Sequence, residues 1–132
     1  MKMLIVDDEL VNRTLLGKFL ENEGERDFAE SGPQAISAFM AALAEKKPYD
    51  LILLDIMMPE MDGHECLARI RRLEKEQGVT PGSEVKVVMV SALCDQKNVC
   101  KAFFGGGADC YLPKPVRRSD LLKLLDSLRQ AS

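Results

Sequence analysis

The chain has 132 residues, 46% of them hydrophobic and 30% charged, with a formal net charge of −3. That length supports one domain with a buried core and is short for two, and the acidic balance argues against nonspecific nucleic-acid binding. No apolar run nears the roughly 20 residues that cross a bilayer, and the run after Met1 stops at Asp7, too short for a signal-peptide core, so a cytoplasmic location is expected.

The first predicted element is the strand Lys2 to Val6, "KMLIV", which ends at "DDE". Val11, Leu15, Leu16, Phe19 and Leu20 then recur at helical spacing, and Gly24 reads as a left-handed cap closing that helix. "RDFAES", Arg26 to Ser31, is polar enough for an edge strand. Pro33 suits the first turn of the next helix, whose stripe is Ile36, Phe39, Met40 and Leu43. Lys46, Lys47 and Pro48 favour its end.

"LILLD", Leu51 to Asp55, is apolar without alternation, as in a parallel strand covered on both faces. Leu67, Ile70 and Leu73 mark a third helix after Gly63, and "QGVTPGS" a loop. "VKVVMV", Val85 to Val90, is a buried strand halting at Ser91. Val99, Cys100, Phe103 and Phe104 predict a short fourth helix before Gly105 to Gly107. "DCYL" is the last strand, and Leu121, Leu122, Leu125 and Leu128 mark a fifth helix starting near Arg117 or capped by Ser119.

Five strand–helix units predict an α/β fold with a doubly wound parallel sheet and helices on both faces. One domain over residues 1–132, without an output domain, is expected. Cys66, Cys94, Cys100 and Cys110 form no CxxC pair and only His64 could add an imidazole, so reduced thiols are expected rather than a zinc site.

In such sheets ligands sit beyond the carboxyl ends of the strands. Asp7 and Asp8 follow the first strand, Asp55 ends the third, Ser91 ends the fourth, and Lys114 lies just past the fifth. Three carboxylates on one rim repel one another, and a hard divalent cation such as Mg²⁺ resolves the conflict. With the Lys114 ammonium they form a site that favours a phosphoryl group attacked by a carboxylate.

"LIVDDE" (Leu4 to Glu9), "DLILLDIMMPEMDG" (Asp50 to Gly63), "VVMVSA" (Val87 to Ala92) and "GADCYLPKP" (Gly107 to Pro115) occur in order along the chain. Together they resemble the receiver domain of two-component response regulators. The resemblance implies a flavodoxin-like (βα)5 fold with sheet order 2-1-3-4-5. It implies Asp55 as phosphoacceptor, Mg²⁺ held by Asp8 directly, by Asp7 through water, by Asp55 and by the backbone carbonyl of Met57, and phosphoryl contacts from Ser91, the Ala92 amide and Lys114. It further implies a cis bond before Pro115, and a switch in which Ser91 moves and Tyr111 turns inward, altering the fourth-helix, fifth-strand and fifth-helix surface. The implied phosphodonor is a histidine kinase or histidine phosphotransfer protein. The implied downstream partner is a protein, with no direct nucleic acid and no membrane, and the chain acts as a monomer or a phosphorylation-dependent dimer. The resemblance implies an enzyme only toward its own phosphorylation and dephosphorylation.

The positions two after Asp55 and two after Ser91 are Met57 and Leu93, which cannot orient an attacking water, so slow dephosphorylation is expected. His64 reads as an exposed helix residue, and Asn12 and Arg13 as a solvated helix face, though "NR" resembles receivers that exchange phosphoryl groups with hybrid kinases. A phosphohydrolase of the haloacid dehalogenase type would need a second Asp at Met57, and a flavin protein a Ser/Thr/Gly-rich loop in place of "DDELVN". A degenerate interaction module would not keep all of Asp7, Asp8, Asp55, Ser91 and Lys114.

Overall fold

A computed structural model describes residues 1–92 and 107–130. The elements are β1 (Lys2–Val6), α1 (Leu10–Phe19), β2 (Glu25–Ala29), α2 (Gly32–Ala44), β3 (Leu51–Asp55), α3 (Gly63–Glu76), β4 (Lys86–Ser91), β5 (Cys110–Pro113) and α4 (Arg118–Gln130). The predicted fourth helix, with Leu93, Cys94, Cys100, Gly105 and Gly106, lies outside the described residues, so α4 is the fifth helix of the sequence pattern.

The strands form one parallel sheet in the order β2-β1-β3-β4-β5. Alternate residues of the central strands feed two separate cores. Leu4, Ile52, Leu54, Val87 and Met89 pack with Phe39 of α2 and with Leu67 and Ile70 of α3. Met3, Ile5, Leu53, Val88 and Val90 pack with Leu16 and Leu20 on the α1 side and Leu121 and Leu125 of α4. Both faces are therefore covered, which is why these strands do not alternate apolar with polar. The polar run around Arg26 is an edge strand, as its charges predict.

Helix ends differ from the sequence reading in informative ways. α1 closes at Leu20 in a non-left-handed geometry, so Gly24 does not cap it. Gly24 instead turns the chain into β2 with φ +147°, where an added Cβ would lie 2.1 Å from the Met1 carbonyl oxygen. That carbonyl accepts the Glu25 amide at 2.9 Å, a close approach only glycine permits. α2 opens on Ser31, whose hydroxyl accepts the Gln34 amide at 3.3 Å, with Pro33 in the first turn.

α2 and α3 end alike. Lys47 donates to the Ala42 carbonyl and Lys46 to that of Leu43, while Val79 donates to Glu74 and Gly78 to Lys75. Each is a Schellman ending that needs a left-handed residue. α3 uses Gly78 at φ 72°, but α2 uses Lys46 at φ 61°. Lys46 therefore ends the helix through its backbone, beyond the last turn, rather than through its charge. Lys46→Gly removes the Cβ strain, and a gain of about 0.5 kcal/mol in urea denaturation is expected. A loss of stability would refute it.

One network around a buried glutamate fixes the amino-terminal ends of β4 and β5. Glu74, 3% exposed, accepts from the Val85 amide at 2.7 Å and from Arg71 at 2.8 Å. The Arg71 guanidinium also donates to the carbonyls of Val85 (2.8 Å) and Gly107 (2.9 Å) and to Asp109 (3.2 Å). Asp109 in turn accepts the Val87 amide at 2.8 Å. Buried charge is tolerated here because it is fully hydrogen-bonded.

Candidate functional site

At the other end of the sheet, register brings the polar residues together. Val6 pairs with Leu54, so Asp7 emerges beside Asp55. Asp55 pairs with Val90, which places Ser91 one step further along β4. Ser91 pairs with Pro113, so Lys114 follows at the same rim.

Asp7 and Asp55 are 1% and 3% exposed, and Asp8 is exposed. The Lys114 ammonium bridges the two buried carboxylates, at 3.0 Å from Asp7 Oδ2 and 3.3 Å from Asp55 Oδ2. Asp7 Oδ1 accepts the Glu9 amide at 2.9 Å, and Asp55 Oδ1 accepts the Met57 amide at 3.2 Å. Asp7, Asp8 and Asp55 each offer a carboxylate oxygen within 4.8 Å of the others. Such a set of hard oxygen donors fits a divalent cation held by a phosphoacceptor site.

Burial, and then the charge of Asp7, push the Asp55 carboxyl up to about 6, against the opposing pull of Lys114 and the Met57 amide. Burial works against the Lys114 ammonium, but its hydrogen bond to Asp7 and the charges of Asp55 and Asp7 outweigh that and raise it. The rim is thus short of positive charge when Asp55 ionises.

Ser91 is fully buried at the end of β4, and Ala92 after it is exposed. The Lys114 amide donates to the Ser91 carbonyl at 2.9 Å, and the Lys114–Pro115 peptide bond is cis. Tyr111 pairs with Met89 and is half-buried against the α2–α3 core. The Met57 side chain is 60% exposed.

Two residues are placed differently from the sequence reading. His64 is buried, not exposed, because α3 starts pressed against the end of β3. There Gly63 donates to the Ile56 carbonyl at 2.8 Å, and a Cβ on it would lie 2.4 Å from the Asp55 carbonyl oxygen. Arg13 is also buried, beneath the turn that carries Asp7 and Asp8. Its signal was present in the sequence: Arg13, Leu16, Gly17 and Leu20 fall at the spacing of one helix face, and that face is buried.

Residues 3–126 match the response regulator receiver domain. The chain belongs to this family. It is 39% identical over 133 residues to the transcriptional regulatory protein ResD of Bacillus subtilis, covering 99% of this chain and 49% of ResD. It is 37% identical over 133 residues to the two-component response regulator ORR41 of Oryza sativa, covering 98% and 95% of the two chains. A solved receiver domain, that of Saccharomyces cerevisiae Ssk1 in a co-crystal with the histidine phosphotransfer protein Ypd1, superposes with a TM-score of 0.83 at 28% identity, covering 97% and 88%. This receiver spans about half the length of ResD and 6% of a hybrid signal transduction histidine kinase of Dictyostelium discoideum that it also matches. The match makes this stretch a receiver domain of two-component phosphorelay signalling. Among the described residues no helix is long and apolar enough to cross a membrane.

Proposed function

We propose that Asp55 is the phosphoacceptor and takes its phosphoryl group from a phosphohistidine on a histidine kinase or histidine phosphotransfer protein. The observation that carries this is the Asp55 carboxylate at the rim, with the Lys114 ammonium at 3.3 Å and two further carboxylates beside it. An Asp55 oxygen attacks phosphorus, the nitrogen–phosphorus bond breaks, and its electron pair returns to the imidazole, which takes up a proton.

Asp7, Asp8, Asp55 and the Met57 carbonyl are the residues that would hold Mg²⁺. When bound, that ion neutralises the phosphoryl oxygens. Lys114 supplies a second positive charge, already held by Asp7. The Ser91 hydroxyl and the Ala92 amide complete the contacts. A phosphoryl group on Asp55 then draws Ser91 toward it, Tyr111 turns inward, and the surface formed by the predicted fourth helix, β5 and α4 changes for a downstream protein.

The docking face for the phosphodonor is the start of α1. Leu10, Val11 and Leu15 are 68%, 76% and 44% exposed. Leu15 and Asn12 share a cavity of about 330 Å³ with Ala92 and Lys114. Apolar exposure continuous with the reacting rim fits a partner helix that presents its histidine there. Similarity to hybrid kinases, and to a receiver captured with a phosphotransfer protein, supports that choice.

Incubation with Mg²⁺ and acetyl phosphate, read by intact mass, tests the site. One added phosphoryl group is expected in the parent and none in Asp55→Asn. Equal gain in both would move the acceptor elsewhere.

The lifetime of that species is a separate prediction. Met57 is exposed and apolar beside Asp55, so it does not orient water for attack. Slow decay is expected without a phosphatase, and Met57→Asn shortens the half-life about tenfold, a change of roughly 1.4 kcal/mol in the barrier. A parent half-life of a few seconds would refute this.

A further inference from the structure

We propose that Arg13 is a positioning residue for the divalent-cation site, setting the direction of Asp8 through the Asp7 carbonyl. The inference rests on the reading that Asp7, Asp8 and Asp55 hold Mg²⁺.

Arg13 is 8% exposed, an expensive place for a guanidinium without strong partners. It has two. One terminal nitrogen donates to the Asp7 carbonyl oxygen at 2.7 Å. The other lies 3.6 Å from the exposed Glu30 carboxylate. The shorter contact is to the backbone of the turn that leaves β1 for the site.

The Asp7 carbonyl and the Asp8 amide belong to one rigid peptide plane. Holding its oxygen fixes the plane, and the plane fixes the direction in which the Asp8 Cα leaves the turn. Asp8 is exposed, and its direction is set from behind by a residue on the buried face of α1. The rest of Asp7 is already tied. Its amide donates to the Ala29 carbonyl at 3.1 Å, Oδ1 accepts from Glu9, and Oδ2 accepts from Lys114. Arg13 adds the carbonyl, so every polar group of Asp7 is held.

Charge and geometry make opposite predictions. As a bare cation near three carboxylates, Arg13 repels a dication, so its removal would tighten Mg²⁺ binding. As a positioning group, it keeps the ligands converged, so its removal weakens binding. Loss of an outer hydrogen-bonding partner of a metal ligand is expected to cost about tenfold or more in affinity.

The test is titration calorimetry with Mg²⁺ on the parent, Arg13→Met and Arg13→Lys, with circular dichroism and urea midpoints in EDTA recorded beside it. The Met variant is expected to raise the Mg²⁺ Kd about tenfold. The Lys variant, which keeps a cationic donor but ends one bond short, is expected to recover part of that. A Met variant that is destabilised yet binds Mg²⁺ as tightly as the parent, or more tightly, overturns the proposal. Should the Met variant not fold, Arg13→Gln, with a donor but less reach, is read in the same way. A parent that binds no Mg²⁺ overturns the metal reading itself, and this proposal with it.

Discussion

Asp55→Asn is expected to stabilise the metal-free protein at pH 8 while abolishing its phosphorylation. Asp55 is 3% exposed, and burial followed by the charge of Asp7 holds its carboxyl up to about 6, against 3.8 ordinarily. Between those values the folded protein keeps a proton that the unfolded chain has released. The stability from that proton is complete below about pH 3.8 and is lost as pH rises through about 6. Above that window the ionised group costs on the order of 3 kcal/mol, and asparagine has nearly its shape without its charge. A gain of about 2 kcal/mol is therefore expected at pH 8 in EDTA, narrowing at pH 5. Urea denaturation at the two pH values measures it. An Asn variant no more stable than the parent at pH 8 would mean that Lys114 already compensates the charge. Saturating Mg²⁺ is expected to stabilise the parent more than the variant, since the variant has lost one ligand.

Lys114→Met acts in the opposite direction. The ammonium bridges two buried carboxylates at 3.0 and 3.3 Å, and methionine keeps the length of the stem but none of the charge. Breaking such a bridge from one side leaves uncompensated buried charge, and a loss of about 3 kcal/mol is expected at pH 8 in EDTA. Lys114 has its value raised, so its contribution is intact at neutral pH and is lost only as pH rises through that raised value. Without it the Asp55 carboxyl moves still higher, so the deficit shrinks as pH falls and Asp55 takes up its proton. Mg²⁺ is expected to restore part of the loss by supplying positive charge to the same oxygens. A deficit that is equal at pH 5 and pH 8 would place the damage in packing rather than in charge.

Much of this was legible because strand ends in a parallel sheet are a fixed place. Once "LIVDD", "LILLD" and "VVMVS" are read as strands, their terminal polar residues must share a rim. The acidic trio at the rim and its lysine follow from topology. What stayed hidden depends on tertiary contact. Gly63 reads only as the residue before the third helix, and the packed helix shows that it nearly touches the Asp55 backbone while His64 lies buried beside it. Arg13 reads as surface because arginine is rarely buried, although its helix face says otherwise. Gly24 is a plausible cap until the amino terminus is seen to run beside it. Lys46 carries no propensity for the left-handed region it occupies, so no local rule finds it.

The Arg71 network lies at the end of the sheet away from the carboxylates. It ties the amino-terminal ends of β4 and β5 to α3 through the Val85 and Gly107 carbonyls and Asp109. Ser91 and Lys114 sit at the far ends of those two strands. A strand anchored at its start and loaded at its tip behaves as a lever with a fixed fulcrum. A displacement at the rim on phosphorylation is expected to grow with distance from Arg71, with the lower half of the sheet keeping its register.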